Sequence, residues 1–505
     1  MVAVQSSSGG DAIDVIVVGA GNAALCAALS AAEAGARVLV LERAPEAARG
    51  GNSAFTGGAF RVAYDGVEDI RRLVPDLGAE EEARSDFGSY TADQFFDDLI
   101  GMSNLRADPE LVDTVVGGSL QTLLWMRGQG VRFIPIHGRQ SFLVDGRHRF
   151  WGGLTVEVSG GGAGLVAALF ARAERAGVRI AYEHKMSELL MEGGRVCGVV
   201  AHHQGERLEL RAGAVVLAAG GYHANHEWRA RYLGPNWDLA RVRGSRYNTG
   251  VALQAALAQG ARAGGHWSGC HSVFYDANAP EFGDPALLNQ QKNYFNLGIV
   301  VNTRGERFVD EGENFRNYTY SRMGAAMLQQ PGARGWQIFE AQGAALLPDE
   351  YRVRHATRYQ ADTLPALIAQ LEGVDAVRLH QTIAAFNAAV DRSRPFNPAE
   401  LDGRRTQGLA VDKSNWALPL EQGPFVAYEV GCGITCTYGG LAITPRAEVL
   451  DEEGRVMPGL YAAGEMVGGL YYGKYPGGAG LTSGAVFGRI AGAQAAARTS
   501  ASRNT

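Results

Sequence analysis

The sequence predicts an α/β fold in which a parallel sheet flanked by helices is interrupted by an inserted α+β unit and completed near the end of the chain. Three observations predict it. A strand, a glycine turn, a helix and a second strand follow one another in "DVIVVGAGNAALCAALSAAEAGARVLVLER". A later apolar run ending in small residues, "AGAVVLAAGGYHAN" (212–225), reads as another buried strand. A third, "GRVMPGLYAAGEMVGG" (454–469), leads straight into a glycine-rich loop and an apolar helical pattern. A sheet begun at residue 14 and completed after residue 454 leaves room for a second unit between them.

Within the first unit, Val15 to Val18 form the apolar strand, Gly19 permits a tight turn, and Gly21 lets a pyrophosphate approach the backbone. Ala24 fills the third small position, where helix meets strand. Glu42, 21 residues past Gly21, ends the second strand where a carboxylate can accept hydrogen bonds from an adenosine ribose. Strand, helix and acidic residue in register make this a Rossmann-type dinucleotide unit. The next loop, "RGGNSAFTGGAF" (49–60), stands where a plain nicotinamide domain would begin another helix–strand pair, and it suits a long cofactor lying across the domain. Near the end, "GGLYYGKYPGGAGLTSGAVFGRIAG" (468–492) crowds glycines before a helix. Bare backbone admits a close ligand, and a helix start presents free N–H groups to it. The expected organisation is a discontinuous dinucleotide domain (11–234 and 435–497), an inserted domain (235–434), and disordered tails at 1–10 and 498–505.

Composition excludes other classes. With 505 residues, 46% of them hydrophobic, the chain can bury large cores. Its 47 basic and 53 acidic residues occur without long runs of one sign, which is not the footprint of a nucleic-acid binder. The start, "MVAVQSSSGGDA", lacks a basic region followed by an apolar core, and no apolar stretch reaches membrane-spanning length, so a cytoplasmic protein is expected. Five scattered cysteines argue against a disulfide scaffold. Cys432 and Cys436 have a weak metal-site spacing without other obvious ligands, and no metal is expected.

The segments "RGGNS", "GGHWSGCH", "NAPEFGD", "GERFVDEGENFRNYTY", "NWALPL", "CGIT" and "YPGGAGLTSGAVFGR" extend the pattern over nearly the whole chain. It resembles the flavoprotein family of fumarate reductase, succinate dehydrogenase and the ketosteroid dehydrogenases, and within it the tricarballylate dehydrogenase branch. The resemblance implies FAD, held without a covalent bond because the loop Asn52 to Thr56 has no histidine. It implies a Rossmann-type FAD-binding domain interrupted by a capping domain. Cofactor contacts would come from Gly19, Gly21, Asn22, Ala23, Ala24, Glu42 and Arg43. The second glycine loop would add Gly51, Asn52, Ser53, Thr56, Gly57 and Gly58. Met186, Ala219, Gly220, Thr249 and Gly250 would follow. Gly464 and Glu465 would meet the ribityl chain, and Gly480, Leu481 and Thr482 would present amides to the flavin pyrimidine.

The same resemblance implies chemistry at a CH–CH bond, with hydride transfer to FAD N5 and proton movement by a capping-domain residue. Arg316 matches the acid of fumarate reductases, one residue later than in their pattern, and either moves the proton or binds carboxylate. His271 would bind substrate carboxylate, with His266 less favoured. Tyr475, in a Tyr-Pro-Gly run like that of ketosteroid dehydrogenases, Tyr318 and Thr437 complete the candidates. Arg149 and Lys474 are further available cations. The departures are as informative. Cys436 stands where a carboxylate-binding histidine is expected, Tyr475 where an arginine is expected, and Gln291 and Tyr294 about where the acidic and basic relay members are expected. Val251 replaces an acidic residue near the flavin.

These features predict an FAD-dependent dehydrogenase of a small polycarboxylate, tricarballylate-like, giving an aconitate-like product. Two alternatives stay open: a 3-ketosteroid dehydrogenase-like or specialised-metabolite enzyme, and the flavoprotein subunit of an electron-transfer complex. The expected electron acceptor is a membrane-associated iron–sulfur protein or a quinone-linked carrier, with peripheral docking at the inner membrane face. The chain has no cysteine clusters for such centres of its own.

Overall fold

The computed structural model describes residues 12–151, 153–284 and 290–503. Residues 1–10, expected to be a tail, lie outside the described residues.

Two sheets organise the chain. In the first, strands Val38–Leu41, Val15–Val18, Ala214–Leu217 and Val456–Ala462 lie side by side and parallel, Arg179–Ala181 extends one edge, and Glu448–Leu450 adds an antiparallel strand at the other. Val15–Val18 and Val38–Leu41 are buried at every residue, as parallel strands covered on both faces must be. Helix Asn22–Glu33 follows the first strand. Gly19 has φ +103°, and a Cβ there would lie 2.4 Å from the Ala218 carbonyl oxygen, so only glycine fits the turn.

Helix Asn22–Glu33 packs against the terminal helix Ala479–Arg503 through the spacing Gly484, Gly488, Gly492. A Cβ at Gly488 would meet the Ala23 carbonyl at 2.4 Å, and one at Gly492 the Ala27 carbonyl at 2.1 Å. Gly488→Leu is therefore expected to destabilise the fold by about 1–3 kcal/mol or more, read as a fall in Tm. The terminal helix continues through Arg503, beyond the expected tail boundary at 497. Thr499 explains the extension: it is buried, and its methyl group fills the space left by Gly213.

The second sheet is built around the 17-residue strand Phe425–Leu441. Ala263–Asp276, Gly335–Phe339 and Arg358–Ala361 pair antiparallel with it, and Ile299–Asn302 pairs with Gly335–Phe339. Trp336, Ile338, Phe386 and Leu420 belong to its core. The long strand passes through the domain boundary expected at 434 and runs on to Leu441 beside the first sheet, carrying Thr435, Cys436 and Thr437 toward the nucleotide unit. Its pairing sets His271 opposite Cys436, with register irregularities on both sides of the Cys270–His271 pair. Such irregularities re-aim side chains.

Candidate active site

A cleft runs between the two units. At one end Glu42 closes the second strand. Burial pushes its carboxyl above the usual range, opposed by the amides of Ala44, Ala20 and Arg43, and the Ala44 amide donates at 2.7 Å. Arg43 is steered by donating to the Tyr247 carbonyl (2.8 Å) and Thr249 Oγ1 (2.6 Å). Met186 lines the same wall, joined by Lys185 and His184.

Gly19, Gly21, Asn22 and Ala23 line the next stretch. Gly21 is the N-cap of helix Asn22–Glu33 and has no side chain of its own to cap it, and the first-turn amides beyond that of Asn22 suit a phosphate. The second glycine loop folds back onto this turn: Ser53 Oγ accepts from the Asn22 amide at 2.9 Å. Gly51, Asn52, Ser53 and Thr56 line the cleft, as do Ala219, Gly220, Thr249, Gly250 and Val251.

Gly57 and Gly58 do not line it. Arg139 occupies the place of a Gly57 side chain and donates to the Gly57 carbonyl at 2.9 Å, while Gly58 packs on Gly161. Ala24 is fully buried, the small residue that the expected helix–strand packing needs.

Further along, Gly464, Glu465, Gly480 and Leu481 line the cleft. The Glu465 carboxylate accepts from the Thr437 amide (2.7 Å) and hydroxyl (3.1 Å). Buried His223 holds it from behind, with Nδ1 3.0 Å from Glu465 Oε1 and Nε2 3.2 Å from Asn52 Oδ1. Thr482 departs from expectation: its hydroxyl donates to the Arg61 carbonyl (2.6 Å) and its amide to Gly478 (3.4 Å), because it sits on the buried side of the terminal helix. Gly480 and Leu481 belong to the first turn, whose amides have no intrahelical acceptor.

A long cleft ending in an acidic residue, two helix starts facing it, and a turn that only glycine fits together suit an extended dinucleotide with an electron-rich ring. The FAD binding domain family matches residues 14–481. The chain belongs to that family of fumarate reductase-type flavoproteins. Fumarate reductase (cytochrome) of Shewanella frigidimarina is 28% identical over 501 residues, covering 98% of this chain and 79% of the relative. 4-Oxocyclohexanecarboxylate 2-dehydrogenase of Sinomonas cyclohexanicum is 30% identical, covering 96% and 93%. The open conformation of a flavocytochrome c3 fumarate reductase superposes with a TM-score of 0.72 at 25% identity, covering 97% of this chain and 79% of that one. This flavoprotein is an FAD-dependent oxidoreductase acting on C=C or CH–CH bonds.

The other end of the flavoprotein's cleft is aromatic and cationic. Tyr475, Tyr471, Cys436, Thr437 and Arg243 line it. His271 packs edge-on against Tyr475 (4.8 Å) and Tyr320 (4.9 Å), is 1% exposed, and has no hydrogen-bond partner on either ring nitrogen among the described residues. Burial and then the nearby Arg243 push its imidazole well below the usual histidine range, so it stays neutral at neutral pH. Tyr320 Oη donates to Tyr475 Oη at 3.3 Å.

Arg316 is buried and pairs with neither Glu311 nor Glu313, which hold Arg307 and the Arg322–Lys474 pair. It donates to the Tyr294 hydroxyl (2.8 Å) and the Arg139 carbonyl, with its guanidinium over the Tyr294 ring (4.0 Å) and near Trp151 (5.2 Å). Tyr294 therefore occupies the arginine's side where the resemblance expected a relay member.

Tyr318, one of the expected proton movers, is turned the other way, because successive residues of helix Arg316–Thr319 point to different faces. Its hydroxyl donates to Asp98 (3.0 Å), beside Arg61, and it lines a separate recess with Asp97, Asn104 and Lys474. Tyr320 takes its place against Tyr475. Arg149 pairs with Glu400 (3.1 Å) at the surface, Lys474 with Glu313 (3.0 Å), and His266 Nδ1 accepts from the Gly473 amide (3.1 Å), and none of the three lines the cleft. Sequence reasoning missed Arg243, Tyr320, His223 and Tyr471. Tyr320, His223 and Tyr471 lie in segments the motifs singled out and Arg243 does not, and only long-range pairing gathers the four in or beside the cleft.

Proposed function

We propose that this flavoprotein dehydrogenates a CH–CH bond of a small polycarboxylate of the tricarballylate type, giving an aconitate-like product, with FAD bound without a covalent link. The observation that carries this reading is His271: a neutral, fully buried imidazole beside the cleft wall, with both ring nitrogens unpartnered among the described residues, needs a hydrogen-bonding guest. Bound FAD supplies the hydride acceptor. Arg316, held by Tyr294 and the Arg139 carbonyl, moves the proton or fixes a substrate carboxylate. Arginine is a poor acid in water, and its burial between aromatic rings excludes bulk water from it. Gly480 and Leu481 offer amides to negative charge on the cofactor, and Glu465 is aligned by Thr437 and His223 for a hydroxyl of its chain. The acceptor is a membrane-associated iron–sulfur protein or quinone-linked carrier, met at the cytoplasmic face of the membrane.

A second reading, dehydrogenation of a cyclic ketone, is favoured by the Tyr320–Tyr475 hydroxyl pair, which suits a carbonyl oxygen, and by the relative named for 4-oxocyclohexanecarboxylate. Anaerobic addition of substrates to the purified yellow protein separates the two. Bleaching by tricarballylate is the expected result. Bleaching by 4-oxocyclohexanecarboxylate or a 3-ketosteroid alone would move the assignment to the tyrosines, and no bleaching by any of them would overturn both readings.

A further inference from the structure

Arg243 has no role in the reading so far, yet its surroundings are those of an anion site. It follows the short strand Arg241–Val242, and its amide donates to the Ile434 carbonyl at 2.8 Å, tying it to the long strand that carries Cys436. The next residue, Gly244, leaves no room for a side chain: a Cβ would lie 2.1 Å from Asn52 Oδ1. The backbone on both sides is thereby anchored, and the Arg243 side chain enters the cleft, where Nη1 donates to Thr435 Oγ1 at 3.3 Å.

That hydroxyl does not neutralise it. Among the described residues no carboxylate lies within ion-pair distance of Arg243 or of Arg316, whereas Arg139 is paired with Glu157. Of the three guanidiniums only that of Arg243 lines the cleft, and the field of Glu350 falls on Arg139. The charge of Arg243 reaches His271, Tyr320 and Cys436, all at the reacting end and away from Glu42 and Arg43. A partly buried guanidinium left with one neutral hydroxyl is poorly compensated, and a planar carboxylate, taking two parallel hydrogen bonds, is the group that fits it best.

We propose that Arg243 is a specificity-determining residue that binds a carboxylate of the substrate, between His271 and the Tyr475 hydroxyl. This rests on the polycarboxylate reading above. The arrangement selects for anionic over neutral substrates, because a neutral ketone would leave the Arg243 charge without a partner.

The test uses the FAD-loaded protein and malonate, a dicarboxylate with no adjacent pair of C–H carbons, which can bind without being dehydrogenated. Perturbation of the flavin spectrum reports its Kd, and cyclohexanone serves as the neutral probe. Arg243→Gln is expected to keep stoichiometric FAD, weaken malonate about 30-fold, and bind cyclohexanone at least as well as the wild type. Arg243→Lys, which keeps the charge without the fork, is expected to recover part of the loss and serves if the glutamine variant does not fold. Equal malonate affinity in wild type and both variants would overturn the role of Arg243 alone. No malonate or tricarballylate response in the wild type would overturn it together with the polycarboxylate reading. Loss of FAD from both variants, with malonate binding restored on reconstitution, would place Arg243 on the cofactor instead and overturn the proposal.

Discussion

Arg316→Ala is expected to retain bound FAD and to lose turnover by about a hundredfold or more, on whichever substrate bleaches the flavin. The geometry separates the two effects. Arg316 does not line the cofactor cleft, and its contacts are Tyr294, Trp151 and the Arg139 carbonyl. Truncation removes a buried cation and leaves the Tyr294 hydroxyl with one partner, the Arg139 carbonyl at 2.9 Å. A residue that only braced the fold would show its loss as a lowered Tm with turnover preserved below that temperature. A residue that moves the proton or fixes a carboxylate would show it in turnover while the flavin stays bound. Arg316→Lys keeps a charge but not the planar fork, and is expected to recover only a fraction of the rate. Full turnover in the alanine variant would remove Arg316 from the reaction.

Gly19→Ala should have the opposite signature: a folded or nearly folded protein that purifies without its yellow colour. The turn has φ +103°, which disfavours any side chain by ~1–2 kcal/mol, and the added Cβ would meet backbone, the Ala218 carbonyl at 2.4 Å, which cannot swing aside. Relief requires the turn to move, and with it the start of helix Asn22–Glu33 and the amides that face the phosphates. FAD occupancy is expected to fall by about tenfold or more relative to wild type. Gly57→Ala is the internal comparison. Its clash is with the movable end of Arg139, and Gly57 does not line the cleft, so FAD should remain near stoichiometric. Equal flavin content in wild type and Gly19→Ala would contradict the role given to this turn.

The two glycine loops illustrate how far a sequence can be read. Gly19, Gly21 and Glu42 could be placed because their geometry is local: one strand, one turn and one helix determine where each lies, and the residue types are dictated by backbone conformation and by a ribose at strand's end. Gly57 and Gly58 look the same on paper as Gly51, yet they answer to Arg139 and Gly161, partners that no local pattern names. Thr482 was expected beside Gly480 and Leu481 and proved to face Arg61, since one helical step of about 100° separates a cleft-facing amide from a buried one.

What the sequence by itself determined, then, is the interrupted nucleotide fold, the flavin it holds, and the cleft positions set by short-range turn chemistry. The reacting end was decided only in three dimensions. His271 meets Cys436 through antiparallel pairing, Arg243 reaches the cleft from a two-residue edge strand, and Tyr320 rather than Tyr318 turns toward Tyr475. The physical reason is that a cofactor's phosphates can be held by backbone amides ordered within one turn, whereas a substrate's charges must be met by side chains drawn from separate strands. Which of those chains converge depends on register and packing between segments far apart in the chain.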